Sequence, residues 1–353
     1  MPSETITREL HFGENLEVLR RSIADRSVHL VYLDPPFNSN RAFHLWSAAP
    51  RSTALRSTTP SGKQDGAHGA VFADKWSWGE QTETEFDELR SGETALAGVL
   101  VALRAVLNDS GVMAYLVMMA ARLVEIRRVL RPDGALYLHC DPSASHYLKI
   151  LLDALFGARN FRNEIVWHYY NKFSAGKRVF ARCFDQIFFY SASDRYVFNP
   201  LREPRQEPVR QLLRENVGGI LKNRKDAAGK TMTRIVHDRK VDAVWRIPCL
   251  QYASREFCGF PTQKPLALLE RIIRASSNPG EVVLDPFCGC GTALLAAQKL
   301  ERGWIGIDKS PSAMELVQAR ISENFPDLAY QRLGLPPAET VLALNRAKKR
   351  PAL

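Results

Sequence analysis

The chain has 353 residues, 45% of them hydrophobic and 24% charged, with a formal net charge of +10 and a pI near 9.4. A globular protein with one large core, or a core and a smaller module, is expected from such a chain. No apolar run reaches bilayer length and Met1 to Arg8 has no apolar targeting core, which argues against a membrane-spanning protein and predicts a cytoplasmic one.

In chain order, a short basic lead is followed by helical spacing of Leu16, Leu19 and Ile23. Val28 to Leu33 has the length and composition of a buried strand. Asp34-Pro35-Pro36-Phe37 ends it, because two prolines forbid helix and stop a ladder. Residues 47–70 are rich in Ser, Thr, Gly, Pro and Ala and predict a mobile surface loop, anchored by Phe72, Trp76 and Trp78. Helices are predicted over Thr82–Leu107 and Val112–Leu130, the second halted by Arg131-Pro132-Asp133-Gly134. A strand from Ala135 to Cys140, a helix from Ser143 to Phe156, and strands at Glu164–His168 and Gln186–Tyr190 follow. Residues 199–255 then break the alternation, with Pro200, Pro204 and Pro208 and no sustained periodicity. They carry 13 Lys and Arg against 6 Asp and Glu, which suits either a solvated loop or a polyanionic partner. The pattern resumes with a helix over Pro265–Ser276, a strand over Glu281–Leu284, a helix over Thr292–Leu300 and a strand over Trp304–Ile307. A last helical stretch, Ala338–Lys348, lies in the tail. The prediction is an α/β fold with a doubly wound, mostly parallel sheet, interrupted by one small inserted module.

Two strand ends carry the chemistry. At the first, Asp34 offers a carboxylate, Pro35 a carbonyl and Phe37 an aromatic face on a stiff turn, where ligands of open α/β sheets bind. At the second, Val282 to Leu284 leads into Asp285-Pro286-Phe287-Cys288-Gly289-Cys290-Gly291-Thr292, a strand, a glycine turn and a helix start. Asp308 ends the next strand 19 residues after Gly289, close to the spacing of about 20 at which an acidic side chain meets ribose hydroxyls. Leu294 replaces the third small residue of a dinucleotide fingerprint, so a cofactor with ribose but no phosphates fits better than NAD. The six cysteines, at 140, 183, 249, 258, 288 and 290, form neither a disulfide framework nor a paired zinc motif, and reduced thiols with no metal are expected. His139-Cys140-Asp141 alternates faces on a strand and reads as pocket-wall packing.

The order of a DPPF turn, a basic segment, Pro261-Thr262-Gln263-Lys264-Pro265 and a DPFCGCGT turn resembles the β-class amino-group DNA methyltransferases, over residues 8 to 325. Asn163-Glu164-Ile165-Val166-Trp167-His168 belongs to the same likeness. The resemblance implies a Rossmann-like methyltransferase fold with a circularly permuted motif order and S-adenosyl-L-methionine as cofactor. It makes 1–198 the catalytic half, 199–255 a target-recognition insertion, 256–330 the cofactor-binding half and 331–353 a tail. Catalysis would fall to Asp34, Pro35, Pro36 and Phe37. The cofactor would meet Asp285, Phe287, Gly289, Gly291 and Thr292, with Asp308 on the ribose and Thr262 and Lys264 beside the methionine end. Gly13-Glu14-Asn15 resembles a further cofactor motif in which the family often has Asp where this chain has Glu14. In the basic segment Arg202, Arg205, Arg210, Lys222, Arg224, Lys225 and Arg234 would meet duplex DNA.

An amine conjugated to a purine is a poor nucleophile, because its lone pair is delocalised. A carboxylate and a carbonyl accepting its two N–H groups draw the nitrogen toward tetrahedral geometry, and in-line positioning supplies the rest. The base must be swung out of the duplex, and Phe37 would stack on it; no covalent nucleophile is needed. The expected activity is methylation of adenine N6, the acidic start of DPPF favouring adenine over cytosine N4. A catalytically silent DNA-binding subunit of the same fold is the competing class. A homodimer and a cognate restriction endonuclease are partners in keeping with the family, and the recognised DNA word is not legible.

Overall fold

Short polar caps and apolar runs set the elements. In the computed structural model residues 6–37, 41–43, 72–92, 94–172 and 178–334 are described. The predicted loop at 47–70 and tail helix at 338–348 lie outside them.

The short basic lead, given no element from the sequence, forms strand β1 (Arg8–Phe12), because Leu10 and His11 are buried by pairing between neighbours contributed by the far end of the chain. Helix α1 (Asn15–Ser22) starts where the Glu14 carboxylate accepts the Leu16 N–H at 2.7 Å. Strand β2 (Val28–Leu33) has the predicted limits. Short β3 (Arg41–Phe43) and β4 (Phe72–Asp74) pair antiparallel. The single helix predicted over Thr82–Leu107 is two, α2 (Glu80–Arg90) and α3 (Ala95–Leu107), since the Thr94 hydroxyl accepts the Ala97 N–H and restarts the helix after Gly92. Helix α4 (Gly111–Val129), capped by Ser110, is buried on most of its surface. Strand β5 (Leu130–Cys140) follows at once: Arg131 to Gly134 are not the predicted turn but a bulge, where pairing with β2 jumps from Val28↔Leu130 to Leu30↔Ala135.

Helix α5 (Ser145–Phe156), strands β6 (Phe161–His168) and β7 (Phe184–Ser191) come next. The basic segment is not structureless. Strands β8 (Arg202–Leu212), β9 (Arg214–Val217), β10 (Ile220–Asn223) and β11 (Thr233–Lys240) make two antiparallel pairs, β8 with β11 and β9 with β10, while β12 (Val244–Arg246) joins the main sheet beside β6. Most residues of these pairs are exposed, so no burial alternation marked them in the sequence. Pro204 and Pro208 are tolerated in β8 because it has one partner only. Helix α6 (Leu266–Ser276), β13 (Val282–Asp285), α7 (Thr292–Lys299), β14 (Gly303–Asp308), α8 (Pro311–Asn324) and β15 (Gln331–Leu333) complete the chain.

The nine-stranded sheet runs β12-β6-β7-β5-β2-β13-β14-β1-β15. All its pairings are parallel except those of β7 with β5 and β6. Side chains alternate into two cores: Val31 and Leu33 of β2 face the layer of α2 to α5, and Leu30 and Tyr32 face that of α6 and α7. This is the doubly wound arrangement expected. Because β2, β13 and β14 are adjacent and parallel, Asp34, Asp285 and Asp308 emerge on one edge of the sheet. Among the described residues no helix is long and apolar enough to cross a membrane.

Candidate active site

That edge opens into a cavity of about 380 Å³, the size of a small-molecule site. The sequence-predicted residues Glu14, Asp34, Pro35, Pro36, Phe37, Thr262, Lys264, Asp285, Phe287, Gly289, Thr292 and Asp308 all line it. Gly291 stands behind the lining. Arg202, Arg205, Arg210, Lys222, Arg224, Lys225 and Arg234 are not part of the cavity; they lie on or between the β8–β11 strands.

The glycine turn owes its form to packing and to its own hydrogen bonds. Gly289 and Gly291 have φ of +51° and +75°, and a Cβ on them would come within 3.0 Å of the Phe260 ring and of Val317. The turn amides are committed within the fold: Cys288 donates to the Ile307 carbonyl (3.1 Å), Gly289 to Asp308 Oδ2 (2.9 Å) and Gly291 to the Cys288 carbonyl (2.7 Å). A pyrophosphate would therefore find few free donors here, whereas a ribose can approach the Asp308 carboxylate. Leu294 packs on Gly306, where a Cβ would approach its Cδ2 to 2.5 Å. The small residue that lets helix and strand come close has thus moved from α7 to β14.

Burial drives the electrostatics. The Asp285 carboxyl is held well above the ordinary range by burial, with the charges of Asp34 and Asp308 adding to it and the Phe287 N–H opposing it. Burial also raises Asp308, against the N–H groups of Ser310 and Gly289. One charged pair of the site is Lys264 and Asp34, Nζ to Oδ2 2.5 Å, with side chains 10% and 15% exposed. Gln263 fixes the preceding loop, accepting from the Cys258 N–H (2.8 Å) and donating to the Glu256 carbonyl (2.7 Å), and Glu256 Oε1 accepts the Leu266 N–H at the start of α6.

Several residues of the site were not singled out from the sequence. Arg122, the buried charge in the otherwise apolar middle of α4, pairs with Glu14 and donates to Asn15 Oδ1 (2.7 Å); Asn15 in turn donates to the Pro286 carbonyl (2.9 Å). Its isolation among apolar residues was the only signal. Beneath Asp34, fully buried His139 faces the Tyr32 hydroxyl at 3.0 Å and Asp185 at 3.2 Å, and its ring lies 5.6 Å from that of Phe37. None of His139, Cys140 and Asp141, expected to pack in the pocket wall, is among the residues that line the cavity, and His139 lies behind it in polar contact. Burial alone would raise Asp185, but the hydrogen bond and charge of His139, with the charge of Lys264, hold it below the usual carboxylate value. Among the described residues no three His, Cys, Asp or Glu side chains group as metal ligands.

At the cavity wall the Cys290 thiol donates to Cys258, which with the nearby Arg320 charge brings the Cys258 thiol down to about 6, against burial. A thiol with a lowered pKa is a thiolate above it, so iodoacetamide should label Cys258 along a curve with its midpoint near pH 6, as followed by peptide mass spectrometry. Cys290→Ala should move that midpoint upward; a curve centred in the ordinary thiol range for the unaltered protein would refute the thiol pairing.

A family model described as "DNA methylase" matches residues 28–319. The chain is 30% identical over 260 residues to the Type II methyltransferase M.EcaI of Enterobacter cloacae, covering 59% of this chain and 58% of that protein. It is 28% identical over 232 residues to the DNA adenine methyltransferase YhdJ of Escherichia coli K12, covering 65% and 70%. It thus spans under three-fifths of M.EcaI. In fold it is similar to the PvuII DNA methyltransferase, described as cytosine-N4-specific, with a TM-score of 0.51 at 14% identity over 97% of this chain and 93% of that one.

Proposed function

The chain belongs to the DNA methylase family, and from that premise we propose that it transfers a methyl group from S-adenosyl-L-methionine to the N6 amino group of adenine in duplex DNA. The observation that supports the reading most is the meeting of Asp34 and Pro35 with Asp285 and Asp308 in one cavity, although the two motifs stand at opposite ends of the sequence.

S-Adenosylmethionine, when bound, supplies an electrophilic sulfonium methyl. Asp308 holds the ribose hydroxyls, the Gly289 turn and Asp285 shape the nucleoside pocket, and Thr262 and Lys264 stand at the methionine end. The Asp34 carboxylate and the Pro35 carbonyl accept the two N–H groups of the target amine, which frees its lone pair; Phe37 stacks on the flipped base. No side chain needs to become covalently attached. Exposed Arg210, Lys222, Arg224, Lys225 and Arg234 meet phosphates or base edges. Arg202, held bidentate by Asp238 at 2.5 and 2.7 Å, and Arg205, bonded to the Asp238 carbonyl at 3.0 Å, brace β8 against β11 as well. A cognate restriction endonuclease is a companion in keeping with this reading.

Enzymatic digestion of DNA from a host expressing the protein, with analysis of the nucleosides, should reveal N6-methyladenine. N4-methylcytosine without N6-methyladenine would overturn the choice of base.

A further inference from the structure

Lys264 makes two contacts that the reaction proposed above assigns to the target base. Its ammonium donates to Asp34 Oδ2 at 2.5 Å, as the exocyclic amine must, and lies 5.3 Å from the centre of the Phe37 ring, over which the base must stack. Apart from that pair it has, among the described residues, one long bond, to the Thr262 carbonyl at 3.4 Å. A carboxylate can accept several hydrogen bonds, but the ammonium holds Oδ2 over the Phe37 face on which the base must stack, so Lys264 and the incoming base compete for that corner of the site.

We propose that Lys264 occupies the target-amine subsite in the free protein, and that the carboxylate of the bound methyl donor draws it away from Asp34. This rests on the proposed function. The chemistry of the cavity singles out Lys264 for such an exchange. Its lining includes three cationic side chains, Arg122, Lys264 and Lys309. Arg122 is already committed to Glu14, to Asn15 and to the Met118 carbonyl (2.9 Å). Lys309 adjoins Asp308, on the strand end assigned to the ribose, whereas Lys264 is two residues from Thr262 at the end assigned to the amino-acid part. Moving from one anion to another keeps the buried ammonium paired throughout, which avoids the cost of an isolated charge. One exchange then performs two tasks: it anchors the donor and opens the carboxylate to the amine. The site becomes receptive to a base when a donor is in place, a positive coupling between the two ligands carried by one side chain.

The coupling can be read by binding alone, without DNA or turnover. S-Adenosylhomocysteine carries the amino-acid carboxylate, and 5′-methylthioadenosine lacks it. Because Asp34 competes with that carboxylate for Lys264, Asp34→Asn should tighten S-adenosylhomocysteine by about tenfold, the worth of one charge-assisted hydrogen bond, and leave methylthioadenosine within about threefold. Lys264→Met should weaken S-adenosylhomocysteine alone, and in that background Asp34→Asn should have no further effect. Titration calorimetry on the four proteins gives the comparison, and near-ultraviolet circular dichroism of each checks the fold. An Asp34→Asn effect that is equal for both ligands, absent, or preserved in the Lys264→Met background would overturn the exchange. Failure of the unaltered protein to bind either nucleoside would instead overturn the methyl-donor reading, and this inference with it.

Discussion

Asp34→Ala is expected to slow methyl transfer by at least about a thousandfold, with binding of duplex DNA retained to within a few-fold. Removing the carboxylate takes away an acceptor for the reacting amine, at a site where groups aimed at the transition state contribute the most. The lost oxygen does not reach the exposed basic strands, so the affinity that comes from phosphates should persist. Asp34→Asn keeps one acceptor oxygen without the charge and should retain more activity than Ala. Single-turnover transfer of a labelled methyl group, paired with a binding assay at several salt concentrations, measures both quantities. If the rate and DNA affinity fall together in both variants, Asp34 is structural rather than chemical.

Arg122→Met is expected to lower the unfolding free energy by about 2–3 kcal/mol, below the usual cost of breaking a fully buried pair because the Glu14 side chain is 37% exposed and water can reach it. A fall in the urea midpoint with an unchanged m-value would record it. The same substitution should weaken nucleoside binding about tenfold. Arg122 holds Asn15, and Asn15 holds the Pro286 carbonyl, so the turn after Asp285 loses a restraint that comes from two other elements. Glu14→Gln, which leaves a neutral acceptor for Arg122, should cost no more than about 1 kcal/mol. Equal losses in the two variants would place the effect in the charge of Glu14 and not in the network.

What could be read from the sequence follows from where each signal is stored. Strand β2 and its Asp34-Pro35-Pro36-Phe37 ending were legible because an apolar run and two prolines are local properties, and the same holds for the turn from Asp285 to Thr292. Strand β1 was not, since only its pairing with β14 and β15 gives Arg8 to Phe12 a reason to be extended. Arg122 and the polar role of His139 escaped for a related reason: their partners, Glu14 and Asn15 for one and Tyr32 and Asp185 for the other, come from different elements of the chain. The β8–β11 strands went unseen because two-stranded pairs wet on both sides need no apolar alternation. Leu294 carries two meanings. It was read as evidence about a ligand, and its immediate cause is the missing side chain of Gly306.

The sheet order has a consequence for synthesis of the chain. Strands β1 and β2 are made first yet are not neighbours, for β14 and β13, made about 250 residues later, lie between them. Until those two strands arrive, one edge of Val28–Leu33 has no ladder to join, and an apolar edge of that kind invites pairing with other chains. Closing so long a loop slows folding more than it weakens the final state. The cavity accordingly closes late: a nascent chain that has already made Asp34 has nowhere to hold a nucleoside until its last quarter has folded into the gap.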